Sequence, residues 1–258
     1  MVERQDKGPL DSGESIGAAR NSVNLREGAR RSADRAANLV SEEGNYESVA
    51  NYRAARGVWE AVTGNGAEGK RSAGAALELS KGRDVEYAAG LALAFSGDTS
   101  RSEALAGDLE KRFPGDTFVK FTYAPVLRAF ATPGQRKPAD SLERLEIARQ
   151  YELAANGLNF NNFSLGGLHS AYVRREAFFA EHRCPEAASE FQKILDHRGI
   201  VGADPIGALA HLQLGRVFAS SGDKAKAKNA CEAFLTPWKD ADSDIPILKT
   251  AKAEYSRL

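Results

Sequence analysis

Short breaks containing glycine or proline divide most of this chain into alanine-rich stretches of about 12–17 residues. Glycine ends a helix readily because it adopts a positive φ angle without strain. An Asp, Asn or Ser that follows the glycine caps the start of the next helix. Each break therefore predicts a tight turn between two antiparallel helices. The breaks lie at residues 43–45, 63–66, 81–84, 96–98, 113–116, 132–134, 182–185 and 221–223.

Composition supports the helical interpretation. The chain has 258 residues, of which 43 are alanine and only 8% are aromatic, and alanine has the highest helix propensity of all residues. One segment, 117–123, alternates like a strand, but Val119, Tyr123 and Val126 also fit one face of a helix. Because an isolated strand would have no partner, we predict a helix there and an all-α chain.

A fixed step relates two of the breaks. Gly64 and Gly97 lie 33 residues apart, close to the 34-residue period of tetratricopeptide repeats. Copies of similar length begin near residues 50, 83, 168 and 208. The pattern predicts a tetratricopeptide-like α-α superhelix, which is a solenoid of antiparallel helical hairpins. The alternative is an irregular helical bundle whose turns are evenly spaced.

The best copy of the repeat begins at Ala208. It has Gly215 in its first helix and Ala227 in its second helix. Because both residues are small, we expect the two helices to approach each other closely at this point. The copy that begins at residue 168 departs from the motif, since Arg175 stands where glycine is expected.

The sequence predicts two regions. Residues 1–21 contain glycines and scattered charges without periodicity, so we expect a flexible N-terminal tail. Residues 22–258 are predicted to form one repeat domain, in which the polar segment 153–167 is the longest connector. The final helix, 247–258, is expected to cap the solenoid. Its outward-facing residues are predicted to be Lys249, Lys252, Glu254 and Arg257.

Several segments resemble a known family. Residues 187–201, 204–216 and 238–255 are similar to the C-terminal tetratricopeptide region of large bacterial Ser/Thr protein kinases of the eukaryotic-like type. The resemblance extends over roughly residues 24–258, but the glycine-rich loop, His-Arg-Asp and Asp-Phe-Gly motifs of a kinase domain are absent from this sequence. The resemblance implies a binding region or, as an alternative, a detached ligand-sensing or regulatory region of a receptor-like kinase.

Charge and hydropathy exclude other classes. The chain has 35 Lys and Arg and 35 Asp and Glu residues, so its formal net charge is zero. A nucleic-acid binder needs a basic surface that releases phosphate counterions, so we expect no nucleic-acid partner. No apolar run approaches the ~20 residues that span a membrane, and no signal peptide is readable. We therefore expect a cytoplasmic location, or a periplasmic or extracellular one if the chain is a piece of a membrane kinase.

The sequence carries no recognisable catalytic or metal motif. A zinc site needs four converging ligands, whereas His182 and Cys184 supply two at most. The segment from Gly64 to Lys70 lacks the Ser or Thr of a phosphate-binding loop. We therefore predict a non-enzyme with no cofactor and no metal. The alternative, an enzyme on a helical scaffold, would depend on His169, His182 or Glu176.

The first helices of a tetratricopeptide solenoid line a concave groove, and repeat position selects candidates for that groove. Tyrosine and arginine are favoured there because they combine contact area with directed hydrogen bonds. The predicted function is a scaffold that binds a protein or peptide in the groove. The alternative for any one residue is packing between repeats. The candidate partner-binding residues are Tyr87, His169, Tyr172, Glu176 and Arg216.

Overall fold

The computed structural model describes residues 31, 34, 35, 44–130, 138–154, 168–202 and 204–258. Every regular element among these residues is a helix and none is a strand, which confirms the all-α prediction. The α-helices are α1 (Tyr46–Val62), α2 (Gly66–Leu79), α3 (Arg83–Phe95), α4 (Thr99–Arg112), α5 (Ala124–Ala129), α6 (Pro138–Glu146), α7 (His169–Ala180), α8 (Cys184–Asp196), α9 (Arg198–Val201), α10 (Pro205–Ser220), α11 (Lys224–Leu235) and α12 (Pro246–Tyr255).

Most of these helices pair as hairpins. The pairs in the described part of the chain are α1 with α2, α3 with α4, α5 with α6, α7 with α8, and α10 with α11. The first helix of each hairpin also contacts the first helix of the next one, and α10 contacts α1. The helices α1, α3, α5, α7 and α10 therefore form a closed cycle, which we call the inner ring. Its interior is well buried, since every residue of α3 from Val85 to Ala94 is buried.

The same hydrogen-bonded turn follows α1, α3, α7 and α10. After α3, the Gly97 N–H donates to the Ala94 carbonyl at 2.9 Å, and the Asp98 N–H donates to the Leu93 carbonyl at 2.8 Å. This pair of bonds is the Schellman motif, which places a residue with positive φ just after the helix. The helix ends predicted from the breaks at 63–66, 96–98, 182–185 and 221–223 are thus confirmed. The residues with positive φ in these turns are Gly64 (96°), Gly97 (80°), His182 (59°) and Gly222 (83°).

The turn after α7 predicts a stabilising substitution. The backbone of His182 has a positive φ angle, which costs a residue with a side chain about 1 kcal/mol. His182→Gly should therefore raise the free energy of unfolding by about 0.5–1 kcal/mol. The matched control is Gly97→Ala, where a Cβ would meet no atom within 4 Å and the expected change is a loss of about 1 kcal/mol. Urea unfolding followed by circular dichroism measures both. A destabilised His182→Gly variant would contradict the prediction.

Small residues let helices of one hairpin approach closely. A Cβ added to Gly215 would lie 3.2 Å from the Ala227 carbonyl oxygen and 2.7 Å from the Cys231 Sγ, so the predicted close approach of α10 and α11 is confirmed. A Cβ on Gly57 would lie 3.1 Å from the carbonyl oxygen of Gly69. The hairpin of α1 and α2 therefore depends on glycine in the same way.

The last helix joins the end of the chain to its first hairpin. The Ile247 N–H donates to the Thr63 carbonyl at 3.1 Å, and Pro246 lies against Gly64 in the turn after α1. Leu248 and Ala251 of α12 are buried, and α12 also contacts α11. A helix is therefore present where the capping helix was predicted, and it contacts both α11 and the turn after α1.

The segment that alternates like a strand is helical, as predicted. Val119–Tyr123 forms a π-helical turn that leads directly into α5. Pro125, at the start of α5, has no N–H to donate to the carbonyl four residues earlier, so the regular α-helical pattern does not extend back through this turn. The Tyr123 ring of this turn packs against Tyr87 of α3, which belongs to the cluster described below.

Some predictions fall outside the described residues. The predicted tail, 1–21, lies wholly outside them, and so do residues 155–167 of the predicted connector. Within the described part of the chain, no helix is both long enough and apolar enough to cross a membrane.

Candidate partner-binding site

A continuous cluster of aromatic and polar side chains lies on the inner ring. The ring of Phe95 links two of its members, with centroids 6.4 Å from the His169 ring and 5.7 Å from the Tyr172 ring. Repeat position thus selected residues from three helices that the fold brings close together. The members predicted from the sequence are Tyr87 in α3, His169, Tyr172 and Glu176 in α7, and Arg216 in α10.

Three of these residues are buried. Tyr87, His169 and Tyr172 are 1%, 0% and 5% exposed, and the Tyr87 ring stacks on the Tyr123 ring with centroids 3.8 Å apart. The expectation that they line an open groove is therefore corrected, because they pack inside the inner ring. The physical reason is packing between neighbouring elements, since Tyr123 stacks on Tyr87, and Phe95 and Phe191 pack edge-on against Tyr172.

The accessible part of the cluster lies where α7, α10 and α12 meet. The side chains of Glu176 and Arg216 are 53% and 29% exposed. Arg216 donates two hydrogen bonds to the carboxylate of Glu254, both at 2.9 Å. We call this surface the inner edge. Its partly exposed members are Glu176, Gln213, Arg216 and Glu254, and the buried Tyr172 and Arg175 form its base.

Arg175 lies at the buried base of the inner edge. It pairs with Glu176 at 2.7 Å and hydrogen bonds to Gln213. Its guanidinium lies 4.4 Å from the centroid of the Phe191 ring, while its Nε is buried with no hydrogen-bond partner among the described residues. Burial lowers the pKa of Arg175, and the nearby charge of Arg216 acts in the same direction. The inner edge therefore contains a buried cation, the Arg175 guanidinium, which the nearby carboxylates stabilise only in part.

The remaining polar groups of the inner edge are oriented by each other. The Gln213 side-chain amide donates to the Tyr172 hydroxyl at 3.3 Å. Burial, reinforced by the charge of Glu176, raises the pKa of Tyr172 to about 12, so the phenol is neutral at physiological pH. Guanidinium, amide, carboxylate and phenol groups together provide directed donors and acceptors for a peptide.

A paired network beside the inner edge fixes α7. The Arg174 Nε donates to Glu190 at 2.9 Å, its second nitrogen donates to the Leu145 carbonyl at 3.0 Å, and its third bonds to Glu152. Lys193 also donates to Glu152, at 3.0 Å. Burial acts to lower the pKa of Arg174 and to raise the pKa of Glu190, but their mutual hydrogen bonds and charges outweigh burial, so the first is raised and the second lowered. This network ties α7 to α6 and α8.

His169 has a packing role at the start of α7. Its Nε2 lies 3.4 Å from the Asp204 carboxylate, and both side chains are fully buried. Asp204 also caps α10 by accepting a hydrogen bond from the Ile206 N–H at 3.1 Å. The pair therefore holds the starts of α7 and α10 together.

Three members of the inner edge were not predicted from the sequence. Arg175 could have been found, because it replaces the expected glycine of the repeat. Gln213 has no distinguishing feature in the sequence. Glu254 was predicted to face outward from the capping helix, and that prediction is wrong, since its carboxylate is bound by Arg216. The contact joins two helices that are separated by α11, which no local pattern reveals.

The described residues contain no cluster of metal ligands. No three His, Cys, Asp or Glu side chains are grouped there as the ligands of a metal ion would be. Comparison of the sequence with protein-family models and with curated proteins gives no match.

Proposed function

We propose that this chain is a non-catalytic scaffold of the tetratricopeptide-repeat type that binds a protein or peptide partner at the inner edge. The repeat assignment is supported by the 33-residue step between Gly64 and Gly97 and by the Schellman turn that four hairpins share. A further support is the small-residue contact within the hairpins of α1 and α10.

The observation that carries the proposal is that two partly exposed charged groups, Glu176 and Arg216, lie beside the buried guanidinium of Arg175. Arginine and tyrosine dominate the binding energy of many protein interfaces when a rigid surface holds them in place. Here the Arg174 network fixes α7, so the groups of the inner edge are held before a partner arrives. A preorganised edge lowers the entropic cost of binding.

Charge substitutions at the inner edge test the proposal. The tagged full chain would be used to capture partners from a lysate of the cells that produce it, and the same capture would be repeated with Arg216→Gln. We expect the partner to be lost, or its recovery to fall about 10-fold, because a charged hydrogen-bond donor contributes about 1.5–3 kcal/mol. Quantitative mass spectrometry of the captured proteins is the measurement.

Two control variants separate direct contact from structural damage. Glu254→Gln removes the charge that pairs with Arg216 but leaves Arg216 in place, so partner recovery should not fall. Lys70→Gln changes an exposed charge on α2 and should have no effect. Equal recovery with the native chain and with Arg216→Gln would contradict the proposed binding surface.

A further inference from the structure

The C-terminal helix binds the rest of the chain as an amphipathic helix binds a groove. Leu248 and Ala251 are buried, and Tyr255 and Leu258 pack against the core. Leu248, Ala251 and Tyr255 are spaced by three and four positions, which places them on one face of the helix, and Leu258 follows just after its end. Recognition of a separate helix by a groove uses the same spacing of apolar anchors.

A polar contact accompanies the apolar anchors. Glu254 lies beside Tyr255 and its carboxylate accepts both hydrogen bonds from Arg216. The Tyr255 hydroxyl hydrogen bonds to Glu232 of α11, and the Lys228 ammonium lies 5.7 Å from the centroid of the Tyr255 ring. The surface of α10 and α11 that α12 covers therefore fits a helix with an apolar face and one adjacent carboxylate.

The position of α12 depends on these contacts. The helix spans ten residues, Pro246–Tyr255, which is shorter than the ~12–15 residues that an isolated helix needs in water. The backbone bond from Ile247 to Thr63 joins its start to the first hairpin. Release of α12 would therefore both free Arg216 and remove a link between the two ends of the array.

We propose that α12 is an internal competitor, and that the partner of the inner edge is an amphipathic helix with the same arrangement of apolar anchors and carboxylate. The partner's carboxylate takes the place of Glu254 on Arg216, and its apolar face replaces Leu248 and Ala251. This inference rests on the proposed function, because it specifies the class of partner that the inner edge binds.

A labelled synthetic peptide of residues 245–258 tests the competition. Its binding to the full chain would be followed by fluorescence anisotropy. The native chain should bind it weakly, because its own α12 is present at a high effective concentration. The full-length Glu254→Gln variant should bind it about 2- to 5-fold more tightly, since its own α12 has lost one partly exposed ion pair.

A second peptide tests whether Arg216 binds the carboxylate of Glu254 in the peptide. The Glu254→Gln form of the peptide should bind the Glu254→Gln chain more weakly than the native peptide does. The two peptides should bind equally to the Arg216→Gln chain, whose fold would be checked by circular dichroism. Unequal binding to that chain would overturn the assignment of Arg216 as the carboxylate-binding residue.

Other results would contradict the proposal that a partner helix displaces α12. Equal affinity of the native peptide for the native and Glu254→Gln chains would show that α12 is a fixed part of the fold. A dimer of the Glu254→Gln chain in light scattering without peptide would show exchange of α12 between two copies instead of recognition of a partner helix. Failure of the lysate capture would count against the proposed function, whereas failure of the peptide to bind would count against displacement of α12.

Discussion

Replacing Arg174 with alanine is expected to lower the free energy of unfolding by about 3–5 kcal/mol. Removal of one partner from a buried ion pair leaves an uncompensated charge, and this is one of the costliest single changes in a protein. Arg174 is fully buried, and it satisfies Glu152, Glu190 and the Leu145 carbonyl together. Urea unfolding of the native and variant chains at pH 7.5 measures the loss.

The loss should depend on pH in a defined direction. In the native chain the pKa of Glu190 is lowered, so its contribution to stability is present above its unfolded pKa and is lost as the pH falls through its folded value. In the Arg174→Ala variant the guanidinium no longer opposes the effect of burial, so we expect the pKa of Glu190 to be higher than in the native chain. The variant should therefore gain relative stability as the pH falls. The deficit should be smaller at pH 5 than at pH 7.5.

Arg101→Ala is the matched control for this prediction. Its side chain is 54% exposed and lies 3.7 Å from Asp98, so its removal should cost less than about 1 kcal/mol. A loss below about 1 kcal/mol for Arg174→Ala, or a deficit that grows toward pH 5, would show that the network does not stabilise the fold as described.

Replacing Tyr87 with alanine should also destabilise the chain, by about 3–5 kcal/mol. The ring is 1% exposed and its plane lies within 3° of that of Tyr123. Removal of a buried aromatic side chain costs both its transfer free energy and the energy of the cavity that is left. The midpoint of urea unfolding, with an unchanged m-value, is the measurement.

Two further variants decide whether Tyr87 belongs to the core or to a binding surface. Tyr87→Phe keeps the stacked ring and should retain most of the stability. Tyr46→Ala removes the same atoms from a position that is 57% exposed, and it should change stability by no more than about 0.5 kcal/mol. A Tyr87→Ala chain as stable as the Tyr46→Ala chain would mean that Tyr87 is accessible after all.

The hairpin turns were predictable because they depend on neighbouring residues. Gly97 has positive φ and Asp98 accepts a hydrogen bond from the Arg101 N–H, and both features belong to residues within a few positions of each other. The close contact of Gly215 with Ala227 was predictable for a similar reason, since both positions belong to one repeat. Local sequence patterns were therefore enough to predict these helices and their pairing as hairpins.

Burial of the site residues was not predictable by the same reasoning. Repeat position indicates which face of a helix a residue is expected to occupy. It does not indicate what covers that face. The rings that cover Tyr87 and Tyr172 belong to Tyr123 and Phe95, which lie on other helical elements, and no local sequence pattern indicates these contacts. Glu254 was misplaced for this reason as well.

Closure of the inner ring also limits how this protein can change in length. Repeat proteins commonly evolve by gaining or losing whole repeats, which an open array tolerates because each repeat contacts only its neighbours. Here α10 contacts α1, and α12 bonds to the turn after α1. An inserted hairpin would separate these surfaces, and a deleted one would force them together. We therefore expect duplication or loss of a hairpin to disrupt this fold, so the geometry of the described helices constrains the number of hairpins.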